Sequence, residues 1–139
     1  MGMDILFNRG DFRCSARFWG ECLTLAEVFG WIAAGTEAPC ECVQGVITRD
    51  WGGGYGTNDY QQVTDEDARA FAAALKRGIE ALMMEPPLTI EQAERVKVFD
   101  EMITDNINYP GRIGDIKTSG VPRIAELATL ASDGGFVIR

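Results

Sequence analysis

The chain has 139 residues, 46% of them hydrophobic, and a formal net charge of −8 with a sequence pI near 4.5. That length fits one domain over residues 1–139, with enough apolar side chains for a single core. Such acidity excludes sequence-independent nucleic-acid binding, which needs cationic contacts to phosphate, and disfavours an anionic membrane surface.

No window approaches the roughly 20 apolar residues of a membrane span. The opening Met1-Gly2-Met3-Asp4 has no cationic region ahead of a long apolar run, so a soluble, cytoplasmic protein is expected. Four cysteines, Cys14, Cys22, Cys40 and Cys42, stand in a chain without histidine. The single residue between Cys40 and Cys42 is too short a gap for the usual zinc pair, so reduced thiols, no metal and no cofactor are expected.

In chain order, Ile5-Leu6-Phe7 followed by Asn8-Arg9-Gly10 and Phe12 reads as a short strand or arm before the first helix. From about Ser15 to Ala34 runs a helix that is apolar around most of its circumference. Phe18, Trp19, Cys22, Leu25, Ala26, Phe29 and Ile32 form a broad face, and Glu21, Thr24 and Glu27 share the remainder. A helix this apolar belongs at the centre of a domain. Gly35-Thr36 is its expected end. Residues 37–50 admit one short strand or none.

An aromatic, glycine-rich loop follows, W-G-G-G-Y-G-T-N-D-Y from Trp51 to Tyr60. Asn58-Asp59 suits a turn, and Gln61-Gln62-Val63 a short strand after it. Two roles compete for the loop. Its rings can lie over the core as a lid, or Trp51, Tyr55, Asn58, Asp59, Tyr60 and Gln61 can form a recognition surface. No Gly-Lys-Ser/Thr accompanies the glycines, so a phosphate-binding loop is the weakest alternative.

Thr64 then caps the clearest amphipathic helix, with Asp65, Glu66 and Asp67 in its first turn and Ala68, Phe71, Ala72, Leu75, Ile79 and Leu82 on one face. Pro86-Pro87 stops the chain, and Thr89 with Gln92 restarts it as a capping box. The third helix, about Ile90 to Asn106, places Ala93, Val96, Phe99, Ile103 and Ile107 on a buried stripe. Glu91, Glu94, Glu101 and Asp105 lie opposite, around Val98 and with Met102 at the border. Asn108 to Gly120, with Pro110, Gly111, Gly114, Arg112 and Lys117, reads as a long loop. A fourth helix begins at Pro122 and buries Ile124, Leu127, Ala128 and Ala131. After Asp133-Gly134-Gly135, Phe136-Val137-Ile138 closes the chain as a strand that can pair with the N-terminal segment. The fold class is therefore mainly α, α+β at most: a compact bundle of about four helices around an apolar first helix, with a small sheet from short terminal and central strands.

Gly30-Trp31 with Gly35-Thr36, then Trp51, Gly53, Tyr55, Asn58-Asp59, Gln61, Val63, Asp67-Ala68, and a terminal Gly134-Gly135-Phe136 with Ile138, form a spaced pattern over most of the chain. In that pattern the chain resembles a group of small bacterial proteins with no assigned activity. The resemblance therefore implies no catalytic residue. Ala33 stands where the group's pattern has proline, and Tyr60 where it has glycine.

Without histidine the usual proton shuttle is missing, and a cysteine nucleophile lacks its usual partner. No catalytic residue is assigned. The expected function is that of a non-catalytic acidic interaction protein, of the immunity or inhibitor type, whose macromolecular partner carries a basic surface. Its candidate contact residues are Glu91, Glu94, Val98, Glu101 and Asp105. The alternatives are a small-molecule or carbohydrate binder, or a weak carboxylate-dependent hydrolase, with a cleft under the aromatic loop bracketed by Asp50 and Asp59, and a nucleic-acid mimic.

Overall fold

The chain opens on a hairpin. In a computed structural model describing residues 2–39, 52–84, 88–107 and 111–139, strand β1 (Gly2–Phe7) pairs antiparallel with β2 (Gly10–Ser15), and Asn8-Arg9 turns between them. Met3, Ile5, Phe7 and Phe12 point into the core. The N-terminal arm is thus two strands rather than one, because charged Asp11 and Arg13 flank the single inward ring that marks β2. On the outer face Asp4 pairs with Arg13 and with Arg139, whose guanidinium also reaches Asp11.

The closing strand β4 (Phe136–Ile138) pairs with β1, and β3 (Gln61–Val63) pairs with β4, giving the order β2-β1-β4-β3. Terminal and central strands therefore make one small antiparallel sheet. Of the 37–50 segment, which admits one short strand or none, Glu37 forms an isolated bridge to Gln62, and residues 40–50 lie outside the described residues. Helices α1 (Ala16–Val28), α2 (Asp65–Met83), α3 (Ile90–Ile107), α4 (Arg112–Asp115) and α5 (Val121–Ala131) complete an α+β fold. None of the described helices is long and apolar enough to cross a membrane.

Helix α1 carries the centre of the core through Trp19, Cys22, Leu25 and Ala26. Ser15 caps it by accepting from the Phe18 N–H at 3.0 Å. It ends at Val28, not near Ala34, because Gly30 takes a left-handed turn (φ 101°) that closes the helix. The Gly30 N–H donates to Glu27 O at 3.1 Å and the Trp31 N–H to Ala26 O at 2.9 Å, the paired bonds of a glycine-terminated helix. Ile32, read as part of the buried face, is consequently 89% exposed.

Glu21, expected on the polar side of α1, is also buried. Its carboxylate receives both Nε and Nη2 of Arg112 at 2.7 Å, tying α1 to the start of α4. A buried charge needs such bidentate pairing, since removing either partner would leave the other uncompensated.

In α2 the expected stripe of Ala68, Phe71, Ala72, Leu75 and Leu82 is buried, with Ile79 partly so. The capping box at α3 is formed as read: Thr89 N–H donates to Gln92 Oε1 at 3.2 Å and Gln92 N–H to Thr89 Oγ1 at 3.1 Å. Phe99 and Ile103 are buried and Val96 is half-buried, but Ala93, placed on the same stripe, is exposed. The reason lies in α1, whose early end leaves the first turns of α3 little to pack against.

From Arg112 onward the expected loop is helical. Gly111 (φ 85°) opens α4, a widened turn follows in which the Val121 N–H reaches back to Ile116 O, and α5 continues from it. Pro122, with no N–H to donate, sits in the first turn of α5, where the regular ladder is interrupted anyway. Ile124, Leu127, Ala128 and Ala131 face inward as read.

The junction of β4 with α2 is the tightest backbone contact. Gly135 N–H donates to Asp65 Oδ1 at 2.6 Å, and a Cβ on Gly135 would overlap the Val63 carbonyl oxygen. Gly135→Ala should therefore destabilise the protein by about 1–3 kcal/mol in urea titration. A change below about 0.5 kcal/mol, the size of an ordinary surface substitution, would show that the junction has slack.

Candidate functional site

The aromatic loop turns most of its polar groups inward. Asp67, in the first turn of α2 and 3% exposed, accepts from Trp31 Nε1 at 3.0 Å and from the Ala34 N–H at 3.3 Å, and Tyr55 donates its hydroxyl to the second carboxylate oxygen. The Tyr55 hydroxyl in turn accepts from the Gly35 N–H at 3.0 Å, and the Tyr55 carbonyl accepts from Trp19 Nε1 at 2.8 Å. Burial, reinforced by the Asp67 carboxylate beside it, pushes the Tyr55 phenol well above its ordinary range, so it stays a donor. The Tyr55 ring packs edge-on against Trp31, their centroids 5.2 Å apart.

The neighbouring amides are similarly engaged. Asn58 donates to Gly2 O at 2.9 Å and accepts from the Asp4 N–H at 3.3 Å, bracing the loop against β1. Gln61 is fully buried, donating to Thr57 O at 2.6 Å and accepting from the Asp59 N–H at 3.0 Å. Thr36 Oγ1 donates to Gly54 O at 2.8 Å. Of the loop candidates, Tyr55, Asn58 and Gln61 thus serve the fold, Asp59 is partly exposed and Tyr60 faces solvent; Trp51 and Asp50 lie outside the described residues. A cleft of about 320 Å³ opens beside the described part of the loop, between Met3, Ala16, Thr57, Asn58 and Asp59.

The α3 candidates come together on one exposed face. Glu91, Glu94, Glu101 and Asp105 are exposed, and among them Val98 is 44% and Met102 38% exposed. Where α1 ends, α3 overhangs it, leaving a cleft of about 320 Å³ lined by Val28, Glu91, Glu94, Arg95 and Val98. A second, of about 360 Å³, shares Glu91 and Arg95 and extends to Phe29, Arg77 and Glu80.

Two arginines close the floor between them. Arg95 donates to the Val28 carbonyl and to Glu91 Oε1 at 3.2 and 3.0 Å, and Arg77 gives the Phe29 carbonyl two bonds at 3.1 and 2.9 Å. Both cations therefore neutralise the negative end of α1. Val28 and Arg95 are site residues that sequence reasoning missed. Val28 was hidden inside a helix read through to Ala34, whereas Arg95 signalled itself only by its four-residue spacing from Glu91.

Neither described thiol, Cys14 or Cys22, lines the cleft beside Val98. Burial pushes the Cys14 thiol up to about 11 and raises the Cys22 thiol well above its ordinary range, and Cys40 and Cys42 lie outside the described residues. Among the described residues no group of three or more histidine, cysteine or acidic side chains could hold a metal ion.

Tyr60 is the one described non-glycine residue with positive φ, at 64°. Glycine would adopt this conformation without strain. Tyr60→Gly should raise stability by about 1 kcal/mol, the usual cost of a left-handed L-residue. A lower melting temperature in calorimetry would mean instead that the exposed ring contributes packing.

Compared with family models, curated proteins and solved structures, the chain finds no match.

Proposed function

We propose that this protein is a non-catalytic interaction protein that binds a basic protein partner through the outer face of α3 and the cleft beside it, in the manner of an immunity or inhibitor protein. The observation that carries this is the apolar Val28–Val98 cleft ringed by Glu91 and Glu94 and continued along α3 by Met102, Glu101 and Asp105. Exposed apolar side chains in an acidic frame are what a complementary cationic surface would cover. Across the described residues, three of the eight large apolar side chains left exposed, Ile90, Val98 and Met102, belong to α3, and two more, Met83 and Met84, stand at the end of α2. The loop candidates support this choice indirectly, since Tyr55, Asn58 and Gln61 are already engaged inside the fold.

A second reading, a small-molecule or carbohydrate binder, is favoured by the cleft beside Thr57, Asn58 and Asp59. It is the weaker one. Among the described residues lining that cleft Asp59 is the only acid, and glycoside hydrolysis of the usual kind needs a facing pair.

The test compares capture from host extract at low salt by the native chain and by the Glu94→Lys/Glu101→Lys variant. Both substitutions fall on exposed side chains, so folding stability should change by less than about 0.5 kcal/mol, while retention of a basic partner falls about tenfold or more. Equal capture by both proteins would overturn the proposal.

A further inference from the structure

The shape of the α3 face specifies more than the charge of its partner. From Glu91 to Asp105 the candidate side chains form a single strip parallel to the helix axis, roughly 21 Å long at 1.5 Å per residue. Val98 and Met102, one turn apart, make its apolar line, with Val28 of α1 as the opposite wall at one end. Glu94 and Glu101 flank that line on one side, Asp105 lies nearer one end, and Glu91, already paired with Arg95, lies nearer the other.

Resting on the function proposed above, we infer that the partner presents a cationic amphipathic helix of three to four turns. Its aliphatic side chains sit between Val28, Val98 and Met102, and lysines or arginines on its flanks meet Glu91, Glu94, Glu101 and Asp105. An extended segment is a poorer occupant, because such recognition relies on main-chain bonds to an open sheet edge, and the backbone groups of α3 are already used within the helix. Ridge-into-groove packing of a second helix needs only side chains. Methionine suits such a seat, since its unbranched chain adapts to irregular aliphatic surfaces.

A second copy of this chain fits poorly, because apposing two α3 faces would bring Glu94 and Glu101 against their own kind in a protein of net charge −8. An anionic bilayer, the other common target of apolar strips, is disfavoured by the same charge.

The experiment uses three fluorescein-labelled lysine–leucine peptides of identical length, the first two also identical in composition. One places leucine at helical spacing on one face, one is scrambled to destroy that face, and one keeps the face but carries a central Pro-Pro in place of two lysines. Fluorescence anisotropy at low and physiological salt measures binding to the native protein, to Val98→Asp and to Glu94→Lys/Glu101→Lys.

The amphipathic peptide should bind at least tenfold more tightly than the other two and gain helical circular dichroism on binding, and each variant should weaken it about tenfold. Equal binding of all three peptides, still weakened by charge reversal, would overturn the helical occupant while leaving a basic partner in place. No binding by any peptide, or self-association of the native chain abolished by Val98→Asp in sedimentation, would overturn the inference outright. Loss of the basic-partner proposal itself would show separately, as equal capture from extract by the native and charge-reversed proteins.

Discussion

The buried carboxylate of Asp67 is the constraint on which the rest of the structure depends. At 3% exposure it would be several kcal/mol unfavourable if left unpaired. It is answered by donors from two other parts of the chain, Trp31 and Ala34 after α1 and Tyr55 in the aromatic loop, while its own place in the first turn of α2 adds the positive end of that helix. No one of these segments can shift without stranding a charge in the interior. Tyr55 carries the connection further, since its carbonyl holds the Trp19 indole at the centre of α1.

That constraint reaches the surface through the length of α1. Drawing the Trp31 ring to Asp67 requires the chain to reverse at once after Phe29, and Gly30 supplies the turn. The helix stops, its last carbonyls face the neighbouring helices, and Arg77 and Arg95 satisfy them. Helix α3, set by its own capping box and by Phe99 and Ile103, then projects beyond the end of α1. The cleft beside Val98 is the space left by that mismatch, so an internal hydrogen-bond network and an external groove have one cause.

Local signals in the sequence were legible and distant pairings were not. Thr64, the Thr89–Gln92 box and the stripes of α2 and α5 were readable because each element contains its own evidence within one or two turns. The acid-rich face of α3 was readable for the same reason. Glu21 was not, since only Arg112, far along the chain, makes its burial tolerable. Gly30 was passed over for Gly35 because the apolar run continues through Trp31 and Ile32, although Trp31 is buried by folding back and Ile32 is not buried at all. The glycines and proline between Asn108 and Gly120 read as a long loop, yet from Arg112 the chain is helical. Gly111 stands at the start of a helix, and a Cβ on Gly120 would come within 3.3 Å of the Ile116 side chain, a tight fit for any larger residue.

Charge and apolar area divide the work in the proposed docking. Acids are spread widely over this chain, including Asp65 and Glu66 at the start of α2, so net charge alone attracts a cationic partner without selecting a face. At physiological salt, exposed charges are largely screened beyond about 8 Å, and only acids close to the contact still act once the partner arrives. Val98 and Met102 are what distinguish α3 from the other acidic surfaces, because apolar burial is not weakened by charge screening and slows departure rather than hastening arrival. The field therefore governs how often encounters occur, and the half-exposed side chains in the strip govern which of them last.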